Sequence, residues 1–114
     1  MENSHKIRPA GGAEPCPVCE QPASYRAVDT AIDVDAFLCP TCTNLETPFT
    51  ITGLLRLILR DRVHLKPEQK QLLPSLSARL RQMSTRGKLV ALSEDNWEAL
   101  AQSYQSNPLL HEDK

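Results

Sequence analysis

The sequence predicts an α+β fold in which a small N-terminal ribbon of two to three antiparallel strands precedes a helical C-terminal half of three to four helices. Three observations lead to this prediction: two closely spaced cysteine pairs, alternation of apolar and polar residues around them, and helix-period apolar spacing in the second half. A chain of 114 residues accommodates one domain, or one small domain plus a helical extension, which excludes a large enzyme. The predicted divisions are a flexible N-terminus at 1–13, the ribbon at 14–51, the helical region at 52–105 and a flexible tail at 106–114.

The four cysteines form two C-x2-C pairs, Cys16 with Cys19 and Cys39 with Cys42, separated by 19 residues. This spacing is typical of a four-cysteine zinc site, because two intervening residues allow a tight turn to aim both thiolates at one cation. A hairpin brings the second turn back to complete a tetrahedron with Zn–S distances of about 2.3 Å. All four cysteines are therefore predicted to bind one Zn2+, and folding of this zinc ribbon should depend on the metal.

Disulfides, a redox pair or an iron site are the alternatives to zinc binding for these cysteines. A pair of disulfides requires an oxidising compartment, and the polar N-terminus has no apolar segment of the kind that directs secretion. A thioredoxin-like redox pair accounts for one C-x2-C but not for two. Iron bound by the same four thiolates, as in a rubredoxin-type site, stays open because the ligands are identical.

Period-two alternation predicts strands between and after the cysteine pairs. Tyr25 and Ala27 alternate in the first run, as expected of a half-buried strand. In the second run, aspartates such as Asp35 separate apolar residues expected on the buried face: Ile32, Val34, Ala36 and Leu38. These two strands should pair antiparallel. A third strand is predicted from Leu45, Thr47, Phe49 and Ile51, with Pro48 restricting it to a sheet edge.

The first predicted helix spans residues 53–63, where apolar residues recur three and four positions apart. Thr52 is placed to cap its N-terminus, because its hydroxyl accepts a hydrogen bond from a backbone N–H of the first turn. Arg56 and Arg60 should lie on a polar face. The stripe expected to be buried comprises Leu54, Leu55, Ile58 and Leu59.

Prolines and a glycine divide the rest of the helical region. Pro67 suits the first residue of a helix, whereas Pro74 is predicted to break that helix within two turns and to start another. The second of these ends at Gly87 as a left-handed cap residue and carries the stripe Leu76, Leu80 and Met83. Residues 88–92 are predicted to be extended. Ser93 caps the last helix, whose buried face is expected to be Trp97, Leu100, Ala101 and Tyr104.

Charge is concentrated in the middle of the chain. Residues 49–88 carry nine basic and two acidic side chains, whereas 1–48 and 89–114 each have a net charge of −4. A basic segment of this kind attracts phosphate groups, so the sequence predicts nucleic-acid binding by contacts with the strand backbone. Aromatic residues for base stacking are almost absent from it. The candidate binding residues are Arg56, Arg60, Arg79, Arg81, Arg86 and Lys88. Coverage by an acidic partner protein, or a solvated helix face, is the alternative.

The order of these motifs resembles a known family. The sequence contains CPVC, a hairpin, CPTC, the helical stretch LSARLR at 76–81 and a closing LSEDNW at 92–97. Over roughly residues 14 to 104 it is similar to a zinc-ribbon module of uncharacterised bacterial proteins. That module looks like the N-terminal part of longer chains that continue into an effector domain, several of them associated with phage defence. The resemblance implies a sensing or adaptor role, with the same four cysteines as zinc ligands.

The sequence predicts no enzyme activity. It contains no phosphate-binding glycine loop, no H-E-x-x-H and no serine-centred elbow, and zinc with four cysteine ligands has no open position for water. No run of about 18 apolar residues indicates a membrane span, so a cytoplasmic protein is expected, with no small-molecule substrate. Two functions remain: nucleic-acid binding through the basic central segment, or a protein-partner role as adaptor, sensor or inhibitor subunit in a bacterial phage-defence or mobile-element system.

Overall fold

The computed structural model describes residues 11–29 and 33–106. This part of the chain forms a five-stranded sheet and three α-helices, so the predicted α+β class is confirmed. The strands are β1 Gly11–Pro15, β2 Pro22–Asp29, β3 Val34–Leu38, β4 Phe49–Thr52 and β5 Val90–Leu92. The helices are α1 Gly53–Arg60, α2 Pro67–Thr85 and α3 Trp97–Ser106, with a 3-10 turn at Arg62–His64. Residues 1–10 and 107–114 of the predicted flexible ends, and Ile32 of the predicted second strand, lie outside the described residues.

The sheet is larger than the predicted ribbon of two to three strands. Strands β1 to β4 form an antiparallel meander, and β5 pairs parallel with β4 at the far edge. Because β5 follows α2 in the chain, the predicted helical region contributes a strand to the same sheet. The prediction that Pro48 restricts the third ribbon strand to an edge is wrong. Pro48 precedes the first paired residue, Phe49, and therefore removes no hydrogen bond from the ladder.

The two edge strands have weak strand signals. The sequence does not predict β1, whereas β5 lies within residues 88–92, which it predicts to be extended. β1 has the sequence GGAEP, which is composed of residues disfavoured in strands, and it begins at Gly11 within the segment expected to be flexible. β5 has only three residues. Both are edge strands whose partners depend on tertiary structure, so local pattern does not place them in the sheet.

A row of aromatic side chains crosses the sheet and anchors the core. Tyr25 of β2 lies opposite Phe37 of β3, and Phe37 lies opposite Phe49 of β4. The ring centroids are 5.8 Å apart in each neighbouring pair. All three residues are buried, so this row provides the cross-strand packing that fixes the register of the three strands.

The buried face of β3 is the opposite of the predicted one. Phe37 and Asp35 are buried, whereas the residues predicted to face inward are only half-buried: Val34, Ala36 and Leu38. Because side chains alternate strictly along a strand, burying Phe37 in the aromatic row also places Asp35 inward. Arg56 of α1 reaches this carboxylate, with Nε 3.4 Å from Oδ2. The prediction that Arg56 lies on a polar helix face is therefore wrong.

Helix α1 buries a narrower apolar stripe than predicted. Thr52 caps it as predicted, since its Oγ1 accepts a hydrogen bond from the Leu55 N–H at 3.2 Å. Leu55 and Leu59 are fully buried, as predicted. Three apolar side chains on its other side are exposed: Leu54 (55%), Leu57 (55%) and Ile58 (37%). The helix ends at Arg60 instead of residue 63, and the chain passes into the 3-10 turn.

Helix α2 runs through Pro74 without interruption, so the predicted break is wrong. The missing N–H of Pro74 deprives the Lys70 carbonyl of its helical donor, but both residues are exposed and water can take the donor's place. The predicted start at Pro67 is confirmed. Gly87, with a φ of +74°, terminates the helix in the left-handed conformation that the sequence predicted.

Helix α3 packs against α2 with the predicted face. Trp97 and Ala101 are buried, and Leu100 and Tyr104 are half-buried. Ser93 caps the turn that precedes the helix: its carbonyl accepts from the Trp97 N–H at 3.2 Å, and its Oγ accepts from the Asp95 N–H at 3.3 Å. The predicted amphipathic last helix is therefore confirmed, but it begins at Trp97, so Ser93 caps the preceding turn and not the helix itself.

Candidate metal centre

The meander places both C-x2-C pairs at the same end of the sheet. The first pair, which we call knuckle 1 (residues 16–19), joins β1 to β2, and the second, knuckle 2 (residues 39–42), follows β3 and precedes β4. In an antiparallel meander, alternate connections lie at the same end, so these two turns face each other. The strand order alone therefore brings the four cysteines together.

The backbone of each knuckle is fixed by its own hydrogen bonds. In knuckle 1 the Glu20 N–H donates to the Cys16 carbonyl at 2.8 Å, and Glu20 has a φ of +70°, the conformation that a glycine adopts most easily. In knuckle 2 the Thr43 N–H and Oγ1 both donate to the Cys39 carbonyl, at 2.8 and 2.9 Å. Glu20 and Thr43, which follow the second cysteine of each pair, thus stabilise equivalent turns differently. Glu20 adopts a left-handed backbone conformation, whereas Thr43 adds a side-chain hydrogen bond.

The four sulfur atoms form one compact cluster. All four Sγ atoms lie within 4.8 Å of one another. The Sγ–Sγ distance is 3.9 Å between Cys16 and Cys42 and 3.3 Å between Cys19 and Cys39. A tetrahedron with metal–sulfur bonds of about 2.3 Å has edges of about 3.8 Å. A disulfide needs about 2.05 Å, so the cysteines are free thiols with the spacing of a tetrathiolate metal site.

The thiols differ in their affinity for protons. Hydrogen bonding with Cys42 lowers the pKa of Cys16 to about 6. The same hydrogen bond, together with burial, raises the pKa of Cys42. Burial raises the pKa of Cys19 to about 12. At neutral pH the metal-free site therefore keeps protons on Cys19 and Cys42, and a metal ion must displace them because it binds thiolates.

Two arginines bind the backbone of the knuckles from outside. Arg62 of the 3-10 turn donates from Nη2 to the carbonyls of Pro17 and Val18, each at 3.0 Å. Arg81 of α2 donates from Nη1 to the Pro40 carbonyl of knuckle 2 at 3.1 Å. Each knuckle is thus held by one guanidinium group from the helical half, and this ties the metal centre to the helices.

Helix α2 contacts knuckle 2 through a polar face. The Ser77 hydroxyl lies 3.1 Å from Cys42 Sγ. One turn further on lies Arg81, and beyond it Ser84 accepts from the Asn44 N–H at 2.9 Å. These positions follow the i, i+4, i+7 spacing of one helix face. Ser77, Ser84 and Arg62 were not predicted as supports of the centre, although the polar spacing on one face of α2 was a signal that could have identified the two serines.

Replacing Ser77 with alanine should weaken metal binding about tenfold, because hydrogen bonds to ligand atoms orient the ligands and their loss typically costs 10- to 100-fold. Competition with a chromophoric chelator measures this affinity. Ser75→Ala is the matched control, since Ser75 lies in the same helix and outside the metal centre. Equal affinities of the two variants would show that the Ser77 hydroxyl does not support Cys42.

The predicted binding residues occupy different environments. Arg56 is buried against Asp35, and half-buried Arg79 donates to Gln82 Oε1 at 3.0 Å. Arg81 is exposed while it holds knuckle 2. The other three candidates are exposed: Arg60, Arg86 and Lys88. The six residues therefore differ in exposure, and Arg56, which is paired with Asp35, is the one that is buried.

Two adjoining cavities lie beside knuckle 1 and form what we call the knuckle groove. The more enclosed cavity measures about 200 Å³ and lies between the end of β1 and three arginines of the helical half, Arg56, Arg60 and Arg62. The more open one measures about 510 Å³ and includes Cys19, Thr41 and Lys70. Glu20 and Arg62 line both cavities. Arg81 flanks the open end, 3.5 Å from the Thr41 carbonyl.

No family model, curated protein or solved structure matches this chain. The resemblance to a bacterial zinc-ribbon module therefore stays a prediction. In the stretches 11–29 and 33–106, no helix has both the length and the apolar character needed to cross a membrane.

Proposed function

We propose that this protein is a non-catalytic zinc-binding module that binds nucleic acid, with strand phosphates in the knuckle groove. The observation that carries the proposal is the gathering of basic side chains along this groove, directly beside the cysteine cluster. Arg60, Arg62 and Lys70 line it, and Arg81 lies at its open end. Of the six residues that the sequence predicted, this set keeps Arg60 and Arg81 and omits the other four. Arg62 and Lys70 were not among the predicted residues.

The groove favours contacts with the phosphate backbone over contacts with bases. Its lining contains no aromatic side chain on which a base could stack. Glu20 lies in the same lining, but its carboxylate accepts a hydrogen bond from Arg62 Nε at 3.0 Å and is neutralised there. Guanidinium and ammonium groups binding phosphates give affinity that depends little on sequence and strongly on salt.

Zn2+ is the metal that we propose for the centre. Four thiolates in a tetrahedron are a ligand set that zinc prefers, and this set fills its coordination sphere. In the described part of the chain, the single histidine, His64, is exposed and lies 3.3 Å from Asp61, away from the cysteines. A closed centre of this kind stabilises the fold and activates no water, which supports a non-catalytic role. Iron in the same ligands is distinguished by metal analysis of freshly purified protein.

Salt dependence tests the nucleic-acid proposal. Binding of duplex DNA, single-stranded DNA and RNA is measured by fluorescence anisotropy between about 50 and 200 mM salt. Because Arg62 is paired with Glu20, phosphate contacts by Arg60, Lys70 and Arg81 predict a slope of log K against log salt of about −3 for duplex DNA and about −2 for single strands, and Arg60→Ala or Lys70→Ala should each make that slope shallower by nearly one. Lys88→Ala removes the same charge outside the groove and should leave the slope unchanged. Absence of binding by all three nucleic acids at the lowest salt would contradict the proposal.

Metal affinity should rise steeply with pH. Because Cys19 and Cys42 keep their protons in the metal-free site, binding releases at least those two protons, and the apparent association constant should increase about 100-fold per pH unit between pH 6 and 8. Chelator competition at several pH values measures this slope. An affinity that changes less than about tenfold per pH unit would mean that the thiols are already ionised.

A protein partner is the second candidate function. The exposed apolar side chains of α1, Leu54, Leu57 and Ile58, share one helix face and favour it. The two functions differ in how binding responds to salt and to substitution. The affinity of an apolar interface depends weakly on salt, and most of it is lost when one or two anchor residues are replaced. Leu57→Ser should then abolish partner binding while Arg60→Ala has little effect.

A further inference from the structure

We infer that Cys19 is the site at which peroxide oxidises the metal centre, and that the first disulfide formed joins Cys19 to Cys39 across the two knuckles. This inference rests on the zinc centre of the proposed function and adds a regulation of it. Oxidation would expel the metal, and with it the geometry of the knuckle groove.

Cys19 is the accessible member of the cluster. Cys16, Cys39 and Cys42 are at most 1% exposed, whereas Cys19 is half-buried and lines the open cavity of the groove. Hydrogen peroxide is small enough to enter that cavity, which measures about 510 Å³. A thiolate that is reachable from solvent reacts with peroxide, whereas the same group in a closed core does not. Cys16 borders the enclosed cavity but is only 1% exposed, so exposure selects Cys19 among the four cysteines.

The first step converts the Cys19 thiolate to a sulfenic acid. Its sulfur attacks one peroxide oxygen, so that an S–O bond forms, the O–O bond breaks and hydroxide leaves. The sulfur is oxidised by two electrons and the peroxide is reduced. Lys70 lines the same cavity, and its positive charge favours the hydroxide that develops there. A protonated sulfenic acid is a poor ligand, so the metal retains three thiolates.

The second step closes the disulfide. Cys39 Sγ lies 3.3 Å from Cys19 Sγ, which is closer than the 3.9 Å between the sulfur atoms of Cys16 and Cys42. Its thiolate attacks the Cys19 sulfur, an S–S bond forms, the S–O bond breaks, and a second hydroxide leaves. One peroxide and two protons are consumed for each disulfide, giving two water molecules. Two of the four ligands are then lost, and the remaining Cys16 and Cys42 cannot hold the ion in a tetrahedron.

Peptide mapping of the full, zinc-loaded chain tests the inference. Cleavage after Arg26 and Arg56 places Cys16 with Cys19 in one peptide and Cys39 with Cys42 in another. With one equivalent of hydrogen peroxide, we expect one zinc released per disulfide and a cross-link between these peptides that maps to Cys19 and Cys39. A sulfenic-acid probe present during oxidation should label Cys19 at least about tenfold faster than the other three cysteines. Thiol reductant with added zinc should restore the loaded protein.

Other outcomes would overturn the inference. A first disulfide between Cys16 and Cys19, within one knuckle, would show that proximity across the knuckles does not direct the chemistry. Zinc that stays bound in excess peroxide would show that Cys19 is protected. The zinc content before oxidation is measured separately, so a chain that never binds zinc contradicts the proposed function, whereas one that binds zinc and resists peroxide contradicts only this inference.

Discussion

The largest expected effect is that of Cys39→Ser, which should abolish stoichiometric metal binding and unfold the sheet. Cys39 follows β3 directly, is fully buried, and its Sγ accepts a hydrogen bond from the Cys42 N–H. Binding of structural zinc contributes about 10–16 kcal/mol in small zinc domains. That exceeds or equals the whole stability of a typical domain, about 5–15 kcal/mol, so the variant has too little left to fold.

Metal analysis and circular dichroism measure the two parts of this prediction. We expect less than about a tenth of an equivalent of zinc or iron in the purified variant, together with loss of the strand signal. Thr41→Ser is the matched control, because Thr41 lies in the same knuckle and is exposed. A Cys39→Ser protein with full metal content and native spectra would show that neither metal binding nor folding requires Cys39.

The clustering of the four cysteines could be predicted because it depends on local sequence. Two C-x2-C pairs determine their own turns, and antiparallel strands between them bring the turns together. The strand around Tyr25, the helix start at Pro67 and the Thr52 cap were also predictable, since each depends on a short segment and its hydrogen bonds. Prediction failed for β1, and for residues 88–92 it gave the extended conformation but not the pairing of β5 with β4, because pairing with distant residues decides both.

The buried face of β3 could not be predicted from β3 alone. Alternation allowed two faces, one with three aliphatic residues and the other with Asp35 and Phe37. The aromatic row made by Tyr25, Phe37 and Phe49 favours the second face, because large rings bury more apolar area than the smaller side chains. Asp35 becomes buried as a consequence, and Arg56 is required beside it. Asp35 in β3 and Arg56 in α1 are both charged residues at buried positions, and their opposite charges neutralise each other.

Arg56→Ala should destabilise the protein by about 3–5 kcal/mol, because it removes the guanidinium from a buried carboxylate. The Arg56 and Asp35 side chains are 8% and 6% exposed, and their charged atoms lie 3.4 Å apart. Urea unfolding of the zinc-loaded protein measures the change in free energy. Arg60→Ala is the matched control: it lies one turn further along α1 and is exposed, so its effect should stay within about 0.5 kcal/mol.

A double-mutant cycle assigns the effect to the ion pair. Asp35→Asn in the Arg56→Ala background removes the buried charge, so the double variant should be more stable than Arg56→Ala alone. If Arg56→Ala instead cost no more stability than Arg60→Ala, the pair would be solvated, and Arg56 would be available to bind phosphate in the knuckle groove. The same measurement therefore determines whether Arg56 belongs to the core of the fold or to its binding surface.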